Sequence, residues 1–437
     1  MELGIAFLVF IVSMVGAIIF DLTMIAPLLV GLAAFLIVGV RKGFSLKEMA
    51  RMGWSSVKKS SAVIQIMAII GLITATWRIC GTITIFVYYG MKVITPHLFL
   101  MITFLLSCLL SYALGTSFGV SGTVGVIFMA LARSGGVNPA VTAGVVMSGV
   151  YFGDRCSPVS SSANLVASVT DTDILENVKL MTKTAVFPYA LTLLVYAVLS
   201  YRNPITYLDE AVVKAFEEAF VLSLWAFVPA VLMLVLPLFK VRVKHAMLAS
   251  IASGFVVACA VQGVPLGEVL HAAIFGYRAS GDGLGTILNG GGLVSMLEVV
   301  GILLISNSYS GIFSGTNMLH DLQDMLGRAC TKLGRFAVTT LMSLAMLAVF
   351  CNQTISTLMC GELMRKPYLD CGGTKEELAI DMENSVIPLV GIVPWAIGCS
   401  VPLAFMDADY TALPYAFYIF ALPICYWLTK KKWFGAR

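Results

Sequence analysis

Charged residues are scarce in this sequence. Of its 437 residues, 28 are Lys or Arg and 24 are Asp or Glu, so only 12% carry a charge. An average soluble domain has about 25% charged residues. Hydrophobic residues make up 59% of the chain, and its mean hydropathy is +0.92. This composition excludes intrinsic disorder and argues against a soluble globular enzyme.

Clusters of metal-binding and nucleotide-binding residues are also missing from the sequence. The ten cysteines are scattered, no C-x-x-C pair occurs, and the four histidines are isolated. A zinc or haem site therefore has no ligand cluster, and we expect the cysteines to be packing residues. No G-x-x-x-x-G-K-[ST] loop is present, which argues against ATP-driven transport. We expect no enzymatic activity, no cofactor and no nucleic-acid partner.

Long apolar runs dominate what is present. They are not the short alternating strands of a transmembrane barrel, so they favour membrane-spanning helices. The candidate spans are 3–20, 22–40, 62–76, 98–114, 185–201, 221–239, 246–262, 293–306, 336–351 and 412–428. Two further stretches, 116–164 and 384–406, are apolar but interrupted by Gly, Ser, Thr and Pro. The predicted fold class is an all-α polytopic membrane protein with about 10–12 transmembrane elements.

Basic residues are concentrated in two polar segments. The segment 41–59 contains six Lys and Arg residues and one acid, and the C-terminal tail contains Lys430, Lys431 and Lys432. Cytoplasmic loops of membrane proteins carry an excess of Lys and Arg. We therefore expect the N-terminus and the C-terminus to lie in the cytoplasm.

Two weak internal matches suggest a repeat. Gly71 and Gly81 are ten residues apart, as are Gly301 and Gly311. The apolar run that ends before Gly115 is followed by Pro158 after 43 residues, and the run that ends before Cys351 is followed by Pro394 after 43 residues. Both matches occur in the same order. They predict an N-terminal hairpin and basic loop (1–60), a first transport repeat (61–205), a linker (206–290), a second transport repeat (291–410) and a last helix with a basic tail (411–437).

The breaks in the apolar runs are the candidate functional site. Unwound backbone within a membrane leaves polar groups that lipid cannot satisfy, so such breaks line polar cavities and hold substrates or ions. Close helix packing is the alternative explanation for each small residue. The candidate residues in the first half are Thr116, Ser117, Asp154, Ser157, Ser160, Ser161, Ser162 and Asn164, and those in the second half are Asn352, Gln353, Asn384 and Trp395.

Motifs in both halves resemble the NhaC-type sodium/proton antiporters, a family of the broader ion-transporter group. In the first half the motifs are Thr76–Trp77, Gly81–Thr82, Tyr89–Gly90, GTSFGVSGTVGV at 115–126, TAG at 142–144, Ser148–Gly149, FGD at 152–154, Ser157–Pro158 and Asn164–Leu165. In the second half they are GGLVSM at 291–296, Gln353, Gly361 and VPW at 393–395. The resemblance covers about residues 20–410.

The resemblance implies a secondary transporter with two inverted repeats and broken helices or re-entrant hairpins, in the cytoplasmic (inner) membrane of a prokaryote. It implies sodium and protons as partners, with Asp154 as a sodium ligand for which the two compete. Some relatives exchange organic acids, such as malate for lactate, and others are assigned to amino acids, so a coupled carrier of such a solute is the alternative function. In either case we expect lipid around the chain, with a homodimer as the candidate assembly.

The sequence departs from the family pattern where the family has further acids. An Asp and two Thr usually stand where this chain has Ser161, Ser162 and Ala163, and Asp often stands where it has Asn352. These losses put an unmodified sodium site in doubt. They leave Asp154 as the candidate carboxylate, unless it forms only a local ion pair with Arg155.

Two further charges lie in apolar segments. Arg78 follows the third span, and Glu298 lies in an apolar helix where relatives are not usually acidic. Charges at such places are functional candidates. They could pair with each other or clasp a carboxylate-bearing substrate, for which the Arg guanidinium is suited. Arg78 could also extend to the membrane interface, and Glu298 could carry a proton.

Overall fold

The computed structural model describes residues 2–20, 22–59, 61–93, 95–206, 210–239, 241–279, 284–316 and 323–434. Helices account for most of them. The helices of the N-terminal half are α1 (Glu2–Ile19), α2 (Ile25–Arg41), α3 (Leu46–Lys59), α4 (Ser61–Ile79), α5 (Thr82–Val93), α6 (Phe99–Leu114), α7 (Ser117–Val120), α8 (Val126–Ser134), α9 (Pro139–Cys156), α10 (Ser161–Thr170) and α11 (Ile174–Arg202). A π-helical turn, Ser121–Gly125, connects α7 to α8.

The helices of the C-terminal half follow a linker. They are α12 (Glu210–Ala219), α13 (Val228–Leu238), α14 (Val243–Ala260), α15 (Leu266–Phe275), α16 (Gly285–Leu288), α17 (Leu297–Thr316), α18 (Gln323–Leu333), α19 (Arg335–Phe350), α20 (Gln353–Asp370), α21 (Lys375–Glu383), α22 (Val386–Leu389), α23 (Ile397–Phe405) and α24 (Phe417–Phe434). Short 3-10 turns join several of them, including Val390–Ile392 after α22.

Several helical stretches are long and apolar enough to cross a membrane. In the described part of the chain there are five, Pro96–Leu114, Ser117–Ser134, Ile174–Arg202, Val243–Ala260 and Val294–Phe313. Three bent helix pairs raise the number to as many as eight, and four shorter apolar helices accompany them. The predicted all-α polytopic membrane fold is confirmed.

The helix α11 is longer than the apolar run predicted. It begins at Ile174 rather than near residue 185, because Asp173 caps it by accepting hydrogen bonds from the backbone amides of Leu175 and Glu176. A side-chain cap satisfies amides that the first helical turn leaves free. The polar first turns therefore remain helical, although their composition does not mark them as part of a span.

The predicted breaks after α6 and after α19 have the same backbone conformation. Gly115 follows α6 and Cys351 follows α19, and both have the left-handed conformation, with φ of +63° and +55°. The next residue is extended in each case and caps the following helix: Thr116 accepts from the amide of Gly119, and Asn352 from that of Ile355. Local backbone chemistry thus supports the correspondence of the two predicted transport repeats. We call residues 61–205 the first segment and residues 291–410 the second segment.

A second pair of breaks follows at the predicted spacing. Four residues, 157–160, separate α9 from α10, and four residues, 393–396, separate the 3-10 turn after α22 from α23. α10 packs against α20 of the second segment, and α23 packs against α7 and the π turn of the first. The Gly pairs match less well, since Gly81 lies between α4 and α5 whereas Gly311 lies within α17. Whether the segments are inverted repeats stays a prediction.

Small residues bring α9 into close contact with α6. A methyl group added at Gly153 would lie 2.3 Å from the carbonyl carbon of Ser111 and 2.3 Å from the amide nitrogen of Tyr112. One turn earlier, an added methyl at Gly149 would lie 2.4 Å from Cβ of Ser107. Glycines four residues apart allow helix backbones to approach closely in membranes. This contact holds α9, which carries Asp154 in its last turn.

Gly153→Ala is therefore expected to destabilise the protein by about 1–3 kcal/mol, because the neighbouring atoms are backbone atoms that cannot rotate away. The thermal unfolding midpoint in detergent measures this loss. Gly267→Ala is the matched control, since no atom lies within 4 Å of its added methyl group. Equal midpoints for the two variants would show that α6 and α9 are not in tight contact.

Candidate functional site

The break between α9 and α10 forms the centre of the candidate site. Ser160, which precedes α10, has an extended backbone. Its hydroxyl oxygen accepts hydrogen bonds from the backbone amides of Ser162 at 3.1 Å and Ala163 at 3.4 Å. This cap satisfies amides at the start of α10 and leaves the hydroxyl proton free to point elsewhere.

The Ser160 hydroxyl donates this proton in a hydrogen bond to Asp154. Its buried carboxylate accepts a hydrogen bond from Ser160 at 3.1 Å. The hydroxyl oxygen of Ser162 lies 3.3 and 3.2 Å from the two carboxylate oxygens. Gln353 donates from Nε2 to the same carboxylate at 3.3 Å. We call Asp154, Ser160, Ser162 and Gln353 the Asp154 cluster. It joins residues that the sequence separates by almost 200 positions.

Gln353 is held in place by both segments. Its Nε2 also donates to the carbonyl of Ile387 at 3.2 Å, and its Oε1 lies 3.3 Å from the hydroxyl oxygen of Ser162. The cluster thus brings together carboxylate, hydroxyl and amide oxygens, the ligands that hard cations prefer. The end of α9 and the start of α10 contribute helix termini, which hold ions in transporters with broken helices.

Several other predicted residues shape the breaks instead of facing Asp154. Asn164 donates to the carbonyls of Pro158 and Ser160, at 3.0 and 2.7 Å. Ser157 is buried and accepts from the amide of Val159 at 3.3 Å. The side chain of Ser161 is exposed. These contacts stabilise the turn that positions Ser160 and Ser162.

The other polar candidates at the breaks make hydrogen bonds within their own half of the chain. Thr116 and Asn352 are the helix caps described above, and the amide of Asn352 also donates to Oδ1 of Asn307 at 3.2 Å. The backbone carbonyl of Ser117 accepts from the hydroxyl of Ser121 at 2.9 Å. Trp395 donates from its indole nitrogen to the carbonyl of Ala348 at 2.8 Å. Asn307, on α17, was not predicted, because it lies among serines just beyond the predicted span 293–306.

Glu383 and Asn384 are unusual because they are fully buried. No side-chain oxygen of Glu383, and neither amide atom of Asn384, has a hydrogen-bond partner among the described residues. Glu383 was not among the predicted site residues. It stands next to the predicted Asn384, in a segment that leads from an acid-rich turn into apolar residues.

Arg155 does not form a hydrogen-bonded ion pair with its neighbour Asp154. It donates from Nη1 to the carbonyl of Met181 at 3.1 Å and from Nη2 to the hydroxyl of Thr184 at 2.8 Å, both on α11. Nη1 also lies 3.1 Å from the sulfur of Cys156. Arg155 therefore links the end of α9 to α11. The Asp154 carboxylate is hydrogen-bonded by Ser160 and Gln353 instead.

Arg78 and Glu298 lie in different surroundings. Arg78 is buried in the last turn of α4, where Nη1 donates to the carbonyl of Thr74 at 2.8 Å. Glu298 lies in the first turn of α17 with an exposed side chain, and lines a cavity of about 340 Å³ with Pro394 and Asp409. Within the described ranges no ion pair joins Arg78 to Glu298. The expected burial is thus confirmed for Arg78. It is wrong for Glu298, which stands at the start of its helix.

Comparison with known proteins places these features in a family. A family model described as "Na+/H+ antiporter family" matches residues 149–429, which include the whole Asp154 cluster. The chain belongs to the Na+/H+ antiporter family. The resemblance expected from the sequence motifs is therefore confirmed, and membership makes the chain a transporter.

Three relatives illustrate the range of this family. The chain is 25% identical to the Na(+)/H(+) antiporter NhaC of Alkalihalophilus pseudofirmus over 390 residues, which cover 85% of this chain and 84% of that protein. It is 25% identical to the malate-2H(+)/Na(+)-lactate antiporter of Bacillus subtilis, with coverage of 87% and 84%. It is 26% identical to the arginine/ornithine antiporter ArcD of Halobacterium salinarum, with coverage of 88% and 81%.

Proposed function

We propose that this chain is a secondary active antiporter that exchanges sodium for protons by alternating access, and that the Asp154 cluster holds the sodium ion. The observation that carries the proposal is the buried Asp154 carboxylate, which receives donors from the helix break of one segment and from Gln353 of the other. Both the family and the NhaC relative favour sodium as the cation.

The coupling follows from the cost of charge within a membrane. A buried carboxylate is expensive to leave uncompensated, and either a cation or a proton neutralises it. Binding of sodium at the cluster and binding of the transported proton therefore exclude each other. Because α10 and α20 belong to different segments, movement of one segment against the other would expose the cluster to one side at a time.

The proposed location is the cytoplasmic membrane of a prokaryote, with both chain ends in the cytoplasm. The basic helix α3 and the lysines at the end of α24 support this orientation, because positively charged segments remain on the cytoplasmic side.

Gln353→Leu tests the proposal. The substitution removes the amide donor and the amide oxygen from the cluster, and a hydrogen bond to a charged group is worth about 1.5–3 kcal/mol. We expect the sodium concentration for half-maximal exchange in everted vesicles to rise about 10- to 100-fold. Thr354→Ala, which changes the exposed neighbour on α20, is expected to leave it unchanged. An unaltered sodium dependence in Gln353→Leu would remove Gln353 from the site.

A carrier of an amino acid or small organic acid is the second candidate. Arg78 supports it, because its Nε has no partner among the residues described and the guanidinium is buried. Such a group can bind a carboxylate with two hydrogen bonds. The malate–lactate and arginine/ornithine antiporters among the relatives also favour it. Counterflow of labelled carboxylates or amino acids in proteoliposomes distinguishes the two functions, since a pure ion exchanger shows none.

A further inference from the structure

Glu383, at the end of α21, is a buried acid whose side chain receives no hydrogen bond from the described residues. Its helix, α21, packs against α10, and the next helix, α22, packs against α9. Gln353 connects the two sides, because its Nε2 donates both to Asp154 and to the carbonyl of Ile387 on α22. Glu383, Asp154 and Arg155 therefore form one electrostatic unit, although they come from different segments.

The two acids differ in how well they tolerate a negative charge. Asp154 accepts hydrogen bonds from Ser160 and Gln353, with Ser162 also in range, and such donors stabilise the ionised form. Glu383 has no donor, so its ionised form is the costlier one. Arg155 offers only partial compensation, because its two terminal nitrogens already donate to Met181 and Thr184.

The charges of this unit do not balance when both acids are ionised. Asp154 and Glu383 together carry two negative charges, whereas Arg155 supplies one positive charge. One further positive charge is required to neutralise the unit within the membrane. It can arrive as a proton on Glu383 or as a cation at the Asp154 cluster.

We propose that Glu383 carries the transported proton, and that this proton leaves when a cation binds at the Asp154 cluster. The proposal rests on the proposed function of that cluster and adds to it the residue that binds the proton. Asp154 stays ionised throughout and holds the cation. Coupling then arises from charge balance between two carboxylates, without a shared binding atom.

The first test is sodium binding to the purified full chain, measured by calorimetry over a range of pH. If each sodium ion displaces one proton, the apparent affinity of the wild type rises up to about tenfold per pH unit. Glu383→Gln mimics the protonated residue, so it is expected to bind sodium as weakly as the wild type does at low pH, and with no pH dependence. Glu376→Gln, an exposed acid on the same helix, is the matched control and keeps the wild-type profile.

The outcomes separate the two proposals. Wild-type pH dependence in Glu383→Gln would place the proton elsewhere and overturn the role of Glu383, while leaving sodium–proton exchange intact. A wild type that binds no sodium at any pH would overturn the proposed function itself.

Infrared difference spectroscopy provides a second measurement that does not depend on the folding of Glu383→Gln. Sodium is expected to remove a protonated-carboxyl band from the wild-type spectrum. An isotopic label in the carboxyl carbon of glutamate should shift this band to lower frequency, and the same label in aspartate should leave it unchanged. If the aspartate label shifts the band instead, Asp154 itself carries the proton and the proposal is wrong.

Discussion

Asp154→Asn is expected to abolish sodium-dependent proton movement in everted vesicles. The amide that replaces the carboxylate carries no charge, and one of its two polar atoms would face the donors of Ser160 and Gln353. Loss of one partner of a buried charge pair costs about 3–5 kcal/mol. That cost corresponds to a loss of more than about 100-fold in cation affinity.

The matched control for this variant is Asp370→Asn, which makes the same chemical change at an exposed position at the end of α20. It is expected to retain wild-type exchange. Both variants should be present in the membrane in equal amounts, which a quantitative blot establishes. Normal pH-dependent exchange by Asp154→Asn would show that this carboxylate does not bind the transported cation.

Lys430→Met is expected to cause the largest loss of stability. The Lys430 ammonium group of α24 donates to Asp381 at 2.6 Å, Glu377 at 2.9 Å and the hydroxyl of Tyr368 at 3.0 Å. Asp381 is fully buried and also accepts from the hydroxyl of Tyr426 at 2.8 Å. Removing the lysine leaves both acids short of a positive charge, since only Arg335 remains, bound to Glu377.

The expected cost of Lys430→Met is about 3–5 kcal/mol of unfolding free energy. The thermal midpoint in detergent should fall by at least about 5 °C. Lys431→Met is the control, because Lys431 lies on the same helix with an exposed side chain. If the two variants have equal midpoints, the buried ion-pair network does not fasten α24 to α20 and α21.

The sequence predicted the positions of the helix breaks better than the contacts between them. The breaks after Gly115 and Cys351, and those near Pro158 and Pro394, could be predicted because local residues determine helix ends. Left-handed cap positions, capping hydroxyls and proline act within a few residues of the chain. The same local chemistry explains why Ser157 and Asn164 support the turn and do not contact Asp154.

Contacts between the segments could not be predicted in this way. The pairing of Gln353 with Asp154 depends on how α20 packs against α10, and no pattern within either segment specifies it. The sequence places Glu383 at the break before Asn384, but its burial could not be predicted, for a related reason. It is one of four acids within α21, and packing alone determines that it is buried without a donor whereas Glu376 is exposed. The exposure of Glu298 follows from its place in the first turn of α17.

Sodium-driven proton movement by the purified protein tests the central claim most directly. Proteoliposomes without sodium are prepared, the membrane potential is held at zero with potassium and valinomycin, and sodium is added outside. The account predicts that the interior becomes alkaline as protons leave in exchange for sodium, and that Asp154→Asn produces no such change. No response of the wild type to sodium, or an equal response from Asp154→Asn, would contradict it.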